Sequence, residues 1–267
     1  MSSQEQLCPI KRRPIRGRRY SRRRPTAMAG MRGPLGARHK ETRHSALTPI
    51  VHTFASGSRI MRLLNIVSSP RGAKSVSISV ANAFLDAYGK ATPSIEVDTL
   101  NVWDENLPDF DSHAIGAKYK GVSKDPMDSA ELSIWIRIQS LVKRFQQADR
   151  IVVGVPMWNF GYPYKLKQLI DLVSQRNMLF TFDGERYGPM LKIPRALVIY
   201  VRGQSHDRGA GISSPGFKHQ ADYIDFWLKF IGVDEVKSLM VEHTWDAKGP
   251  ETIEQGKARA IAMAADF

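Results

Sequence analysis

The chain has 267 residues, 42% of them hydrophobic, and its 39 Lys and Arg against 26 Asp and Glu give a formal net charge of +13. This is enough for one large domain or two small ones. With Cys8 as the single cysteine, the rest of the chain has no disulfide, thiolate metal site or catalytic thiol. No apolar run reaches the roughly 18 residues that span a bilayer, and no signal-peptide core is visible, so a cytoplasmic protein with no membrane partner is expected.

The charge is unevenly spread, which favours a single domain. Residues 1–60 carry 14 Lys or Arg against only Glu5 and Glu41, a net of +12, whereas residues 61–267 carry 25 against 24. This leader holds KRRPIRGRRYSRRRP at Lys11 to Pro25, is rich in Pro and Gly, and has no hydrophobic period that would bury a face. It reads as a disordered basic extension. Its charge suits nucleic acid or an anionic membrane through counterion release, and its Arg-rich, acid-poor composition is similar to an organelle transit sequence. Met61 stands one residue before the first clear strand, so an over-extended start is the simplest reading. The near-neutral body offers no second basic surface, and a nucleic-acid partner is not expected.

From Met61 onward, short apolar runs alternate with helical patterns, as in a parallel sheet covered on both faces. RLLNIVSS, Arg62 to Ser69, is apolar throughout and reads as a central strand. Ser75 to Lys90 spaces Val80, Phe84 and Tyr88 by four and reads as a helix. Ser94 to Val102 alternates as a strand does, and Ser112 to Met127 reads as an irregular surface excursion because it is polar and carries Gly and Lys. A long helix from Ser129 to Gln147 would bury Leu132, Trp135, Ile138, Leu141, Val142 and Phe145. Arg150 to Met157 is the most apolar strand, and Lys165 to Ser174 resumes helical spacing. Met178 to Tyr187, with its Asp183-Gly184 pair, reads as a small hairpin. Then come a strand at Arg195 to Gly203, a helix near Phe217 to Ile231, a strand at Glu235 to Val241 and a closing helix from Pro250. Residues 61–267 are thus expected to form one domain around a five-stranded flavodoxin-like or Rossmann-like parallel sheet.

Ligands of such sheets bind beyond the carboxyl ends of the strands, where the strand order reverses. The loop after the first strand, SSPRGAKSVS at Ser68 to Ser77, nearly spells a nucleotide P-loop, but Ser68 and Ala73 stand at the glycine positions. No later strand ends in an acidic residue that would complete a magnesium site, so ATP or GTP hydrolysis is not expected. The helix start behind the loop suits an anion; Ser69, Ser75 and Ser77 would add hydroxyls, and Arg71 and Lys74 charge. Phosphate binding is the expectation, against the plainer reading that Ser75 only caps its helix. In the loop PMWNFGYP, Met157, Trp158 and Phe160 put apolar bulk at the sheet edge around the amide of Asn159. That suits a flat heteroaromatic ring as well as it suits a hydrophobic plug.

The serine loop, the motif PMWNF followed by KLKQLIDL at Lys165 to Leu172, and the strand end VRGQSH at Val201 to His206 together resemble the FMN-dependent NADH:quinone oxidoreductase and azoreductase family. The likeness covers the body and none of the leader. It implies a flavodoxin-like fold, a homodimer and one FMN per subunit. The phosphate would lie on Ser69, Ser75, Val76 and Ser77, the isoalloxazine ring against Met157, Trp158, Asn159 and Phe160, and Gly203 near the pyrimidine end. Here the sequence departs from the family, which commonly reads Ser-Arg-Gly-Gly where Val201, Arg202, Gly203 and Gln204 stand. A backbone contact survives that change; a side-chain bond from the first position does not. The activity implied is hydride transfer from NADH or NADPH through FMN to quinones, with azo compounds cleaved in two rounds to amines. No side-chain acid or base is required; Asn159 is the candidate for tuning the ring, and His206 is either a donor to the acceptor or merely solvated. The rival functions are an NAD(P)H-dependent FMN reductase and a flavodoxin-like electron carrier.

Overall fold

A computed structural model describes residues 60–205 and 218–267; the basic leader, apart from its last residue, and His206 lie outside them. The first strand, β1 (Met61–Val67), buries its last five residues and sends Leu63 to one face of the sheet and Leu64 to the other. β2 (Ile95–Asn101) lies at the sheet edge, β3 (Arg150–Pro156) is buried almost throughout, and β6 (Ile193–Val201) and β7 (Val233–Val241) follow. All pair in parallel, in the order β2-β1-β3-β6-β7. The order reverses at β1, whose two neighbours are β2 and β3, so the crevice between the carboxyl ends of β1 and β3 is the switch point.

One face packs against α1 (Val76–Ala91) and α6 (Gly249–Ala264), through Val80, Phe84 and Ala260 among others. The other packs against α3 (Ser129–Gln146), α4 (Tyr164–Val173) and α5 (His219–Ile231), which contribute Ile138, Phe145, Leu169 and Trp227. The short strands β4 (Phe180–Phe182) and β5 (Tyr187–Pro189) form the expected hairpin, with Gly184 at φ 112° and Asp183 Oδ1 accepting from the Glu185 and Arg186 amides at 2.8 Å.

Two expectations are corrected. Most of the supposed surface excursion is a helix, α2 (Ser112–Ser123), capped by Asp111, whose Oδ1 accepts from the His113 and Ala114 amides at 3.0 Å. Its glycines read as helix breakers but permit close packing. A Cβ at Gly116 would meet the Glu131 carboxylate, and one at Gly121 would overlap the Trp135 ring. In α3, Leu132 is half exposed, while the other five apolar residues expected inside are buried.

Candidate functional site

The strand β1 ends in four buried polar positions of the serine loop: Ser68, Ser69, Ser75 and Ser77. Ser68 Oγ donates to the Gly154 carbonyl at 2.6 Å and so ties the end of β1 to β3 across the switch point. A single 3-10 turn, Gly72–Lys74, leads to Ser75, which takes extended backbone angles and accepts from the Ile78 amide at 3.4 Å as the N-cap of α1. Ser75 Oγ also lies 3.1 Å from Ser77 Oγ, and Ser69 Oγ accepts from the Arg71 amide at 3.4 Å. Ser75 therefore does cap its helix, and the same bend turns the first-turn N–H groups of α1 toward the mouth of the sheet.

The second loop folds back on itself. Trp158 and Gly161 exchange backbone hydrogen bonds at 2.9 and 3.0 Å, so Asn159 and Phe160 form a two-residue hairpin turn. Both have positive φ, 46° and 69°. This is the pattern of a type I′ turn, which Asn tolerates and Phe ordinarily avoids. Trp158 packs on Trp103 at a centroid distance of 5.9 Å, and Trp103 reaches Tyr164 at 5.4 Å while its Nε1 donates to the Ser68 carbonyl at 2.9 Å.

The third loop begins at Arg202, whose side chain is 1% exposed. Its Nε donates to Gln220 Oε1 at 2.8 Å and its Nη1 pairs with Glu242 Oε1 at 3.3 Å. Burial pushes the guanidinium pKa down, and Glu242 pulls it back up. Thr244 and Trp245, just past β7, donate backbone amides to the carbonyls of Arg202 and Gly203. The Trp245 ring lies where a side chain on Gly203 would stand, 2.5 Å from the position of a Cβ.

One cleft gathers these loops. Of the residues singled out in the sequence, Ser69, Ser75, Val76, Ser77, Met157, Trp158 and Gly203 all line it. Asn159 and Phe160 do not; they sit at the exposed tip of the turn beside it. Arg71 lines the cleft, whereas Lys74 faces solvent in the 3-10 turn. Sequence reasoning missed Thr244 and Trp245, because it weighed three strand ends and left out that of β7. It also passed over Trp103, whose place at the end of β2 was the available signal.

A parallel sheet in this order, with buried serines and an aromatic wall at its switch point, defines a flavodoxin-like fold. The family model described as flavodoxin-like fold matches residues 61–264. The FMN-dependent NADH:quinone oxidoreductase 2 of Burkholderia lata is 75% identical over 207 residues, which are 78% of this chain and 100% of that protein. An FMN-dependent NADH:quinone oxidoreductase of Nitratidesulfovibrio vulgaris is 36% identical, over 76% of this chain and 95% of its own length. Among solved structures, an azoreductase from Bacillus anthracis superposes with a TM-score of 0.71 at 22% identity, over 78% of this chain and all of its own. The chain belongs to the flavodoxin-like family and, within it, to the FMN-dependent NADH:quinone oxidoreductases.

Proposed function

We infer that the protein is an FMN-dependent oxidoreductase that carries two electrons from NADH or NADPH to quinones, and cleaves azo compounds to amines in two rounds. The observation that carries this reading is the union of three buried serine hydroxyls, the start of α1 and the Met157-Trp158 wall in one cleft. The donor set fits FMN. Ser69, Ser75 and Ser77, with the first-turn amides of Val76 and Ser77, make a cradle for one terminal phosphate. Arg71 adds charge at the rim, and the helix dipole contributes roughly 0.3–1 kcal/mol. Nothing in the cradle is shaped to wrap a triphosphate.

Bound FMN supplies the two-electron redox chemistry by which a reduced nicotinamide is oxidised and a quinone becomes a quinol. The chain's part is positional. Met157 and Trp158 present a face for the ring, the tight turn holds Asn159 and Phe160 at its edge, and Gly203 leaves room for Trp245 on the opposite wall. Asn159 is exposed, with its amide free to tune the ring or meet the acceptor. We further infer a homodimer, because Phe160, Tyr164 and Trp245 leave aromatic surface exposed around the cleft. A cytoplasmic location follows from the nicotinamide donor, and residues 61–267 form the working domain.

The purified protein is expected to be yellow, bleached by NADH and recoloured by benzoquinone; colourless protein that takes up no added FMN would sink the reading. Ser75→Asp with Ser77→Asp should weaken FMN binding roughly 100-fold or more, since two carboxylates would face the phosphate. Unchanged affinity in a fluorescence titration would leave those serines a purely structural role.

A further inference from the structure

Arg202 is a charged group that the functions assigned above leave unused. Its backbone and its Nε are both held. Its amide donates to the Val241 carbonyl at 2.9 Å, and its own carbonyl accepts from the Thr244 amide at 3.2 Å and from Thr244 Oγ1 at 2.9 Å. Gln220, which accepts from Nε, is itself fully buried and fixed by donating Nε2 to the Val155 carbonyl at 2.7 Å. The guanidinium therefore cannot swing out to water. It is compensated on one side only: Nη1 faces Glu242, while Nη2 is buried with no partner among the described residues.

A buried cation with an unused donor is costly unless it serves something. Arg202 lines the same cleft as Ser69, Met157, Trp158 and Gly203. Buried at low dielectric beside the cleft, a fixed positive charge favours whichever state of a neighbouring group is the more negative, and it needs no reorganisation to do so. Arg71 cannot take this part, because its exposed side chain is screened by solvent. On the reading that the cleft holds FMN, the charge that changes there is that of the flavin ring, which gains electron density on reduction.

We propose that Arg202 is the fixed positive charge of the cofactor cleft and biases it toward the reduced form of the flavin, with Glu242 setting how much of that charge is felt. Arg202 is thus an electrostatic tuning residue for the potential rather than a group that gives or takes a proton.

The test measures two quantities on the full chain: affinity for oxidised FMN by fluorescence, and the two-electron midpoint potential of the bound cofactor by equilibration with indicator dyes. Arg202→Met, which keeps the stem and removes the charge, should reduce the site's preference for reduced over oxidised FMN about tenfold, a fall of about 30 mV. Arg202→Lys should restore most of it, and Glu242→Gln should move the potential upward. Opposite signs for the two charge removals separate a field effect from loosened packing, which would shift both the same way. Wild-type potential in Arg202→Met, or shifts of the same sign, would overturn the proposal. Should Arg202→Met fail to fold, a Glu242→Gln potential that is unchanged or lower overturns it equally. Failure of the unsubstituted protein to take up FMN would instead overturn the cofactor reading, so the two failures are distinguishable.

Discussion

Phe160 adopts φ 69° in a turn where glycine would be relaxed. A non-glycine residue in that region costs about 1–2 kcal/mol, whereas glycine costs the chain about 0.5–1 kcal/mol more in entropy on folding. Phe160→Gly relieves that strain and is expected to bind FMN less tightly, because the aromatic ring at the cleft's edge is lost; an FMN titration checks it, and unchanged affinity would show that the ring packs for the fold. Gly203 makes the converse case. Gly203→Ala should displace Trp245, whose ring occupies the space a Cβ needs. Because Trp245 is 78% exposed, it can move aside cheaply. The expected result is a changed tryptophan emission and weaker cofactor binding with little loss of stability.

At the scale of elements, α2 and α3 are joined by charge as well as by the Gly121–Trp135 contact. Asp128 caps α3 by accepting from the Glu131 amide at 2.9 Å, Glu131 accepts from the Asp128 amide at 3.0 Å, and Lys120 reaches Glu131 at 2.6 Å. The Lys120 hydrogen bond, helped by the Asp128 amide, holds the Glu131 carboxyl below its ordinary value of 4.5; the Glu131 amide does the same for Asp128. A carboxyl depressed in the folded state stabilises fully above its unfolded pKa and loses that contribution as pH falls through the folded one. The contribution of this pair should thus be complete from about pH 4.5 up to the alkaline range where Lys120 titrates, and be lost in acid, and Lys120→Met should weaken that acid dependence. Melting temperature against pH for both proteins checks the sign. This pair also shows where sequence reading reaches its limit. The continuous apolar runs of β1 and β3 and the four-residue spacing of α1 announce themselves, since burial dictates their pattern. Gly116 and Gly121 of α2 read as breakers because their value lies in what they admit from α3, a neighbour that no local pattern reveals.

For the whole molecule, the fold runs from Met61, whose strand is central to the sheet, and the family match begins at the same residue. A chain started at Met61 is therefore expected to fold, take up FMN and oxidise NADH as the full chain does; a colourless or aggregated product would show that the basic leader contributes to folding. The candidate site was legible to the extent that it lies in short contiguous motifs: the serine loop and PMWNF each supply several cleft residues. Its far wall was legible only at the strand end that holds Gly203, because Thr244 and Trp245 join it there only when β6 and β7 lie side by side. That assembly gives the protein an optical property of its own. Of its five tryptophans, Trp135 and Trp227 are buried in the core, whereas Trp158 and Trp245 line the cleft and Trp103 packs at a tilt against Trp158. Three of the five tryptophans thus lie within energy-transfer range of a flavin bound there, so the unlabelled polypeptide should report flavin occupancy as a dimming of its fluorescence.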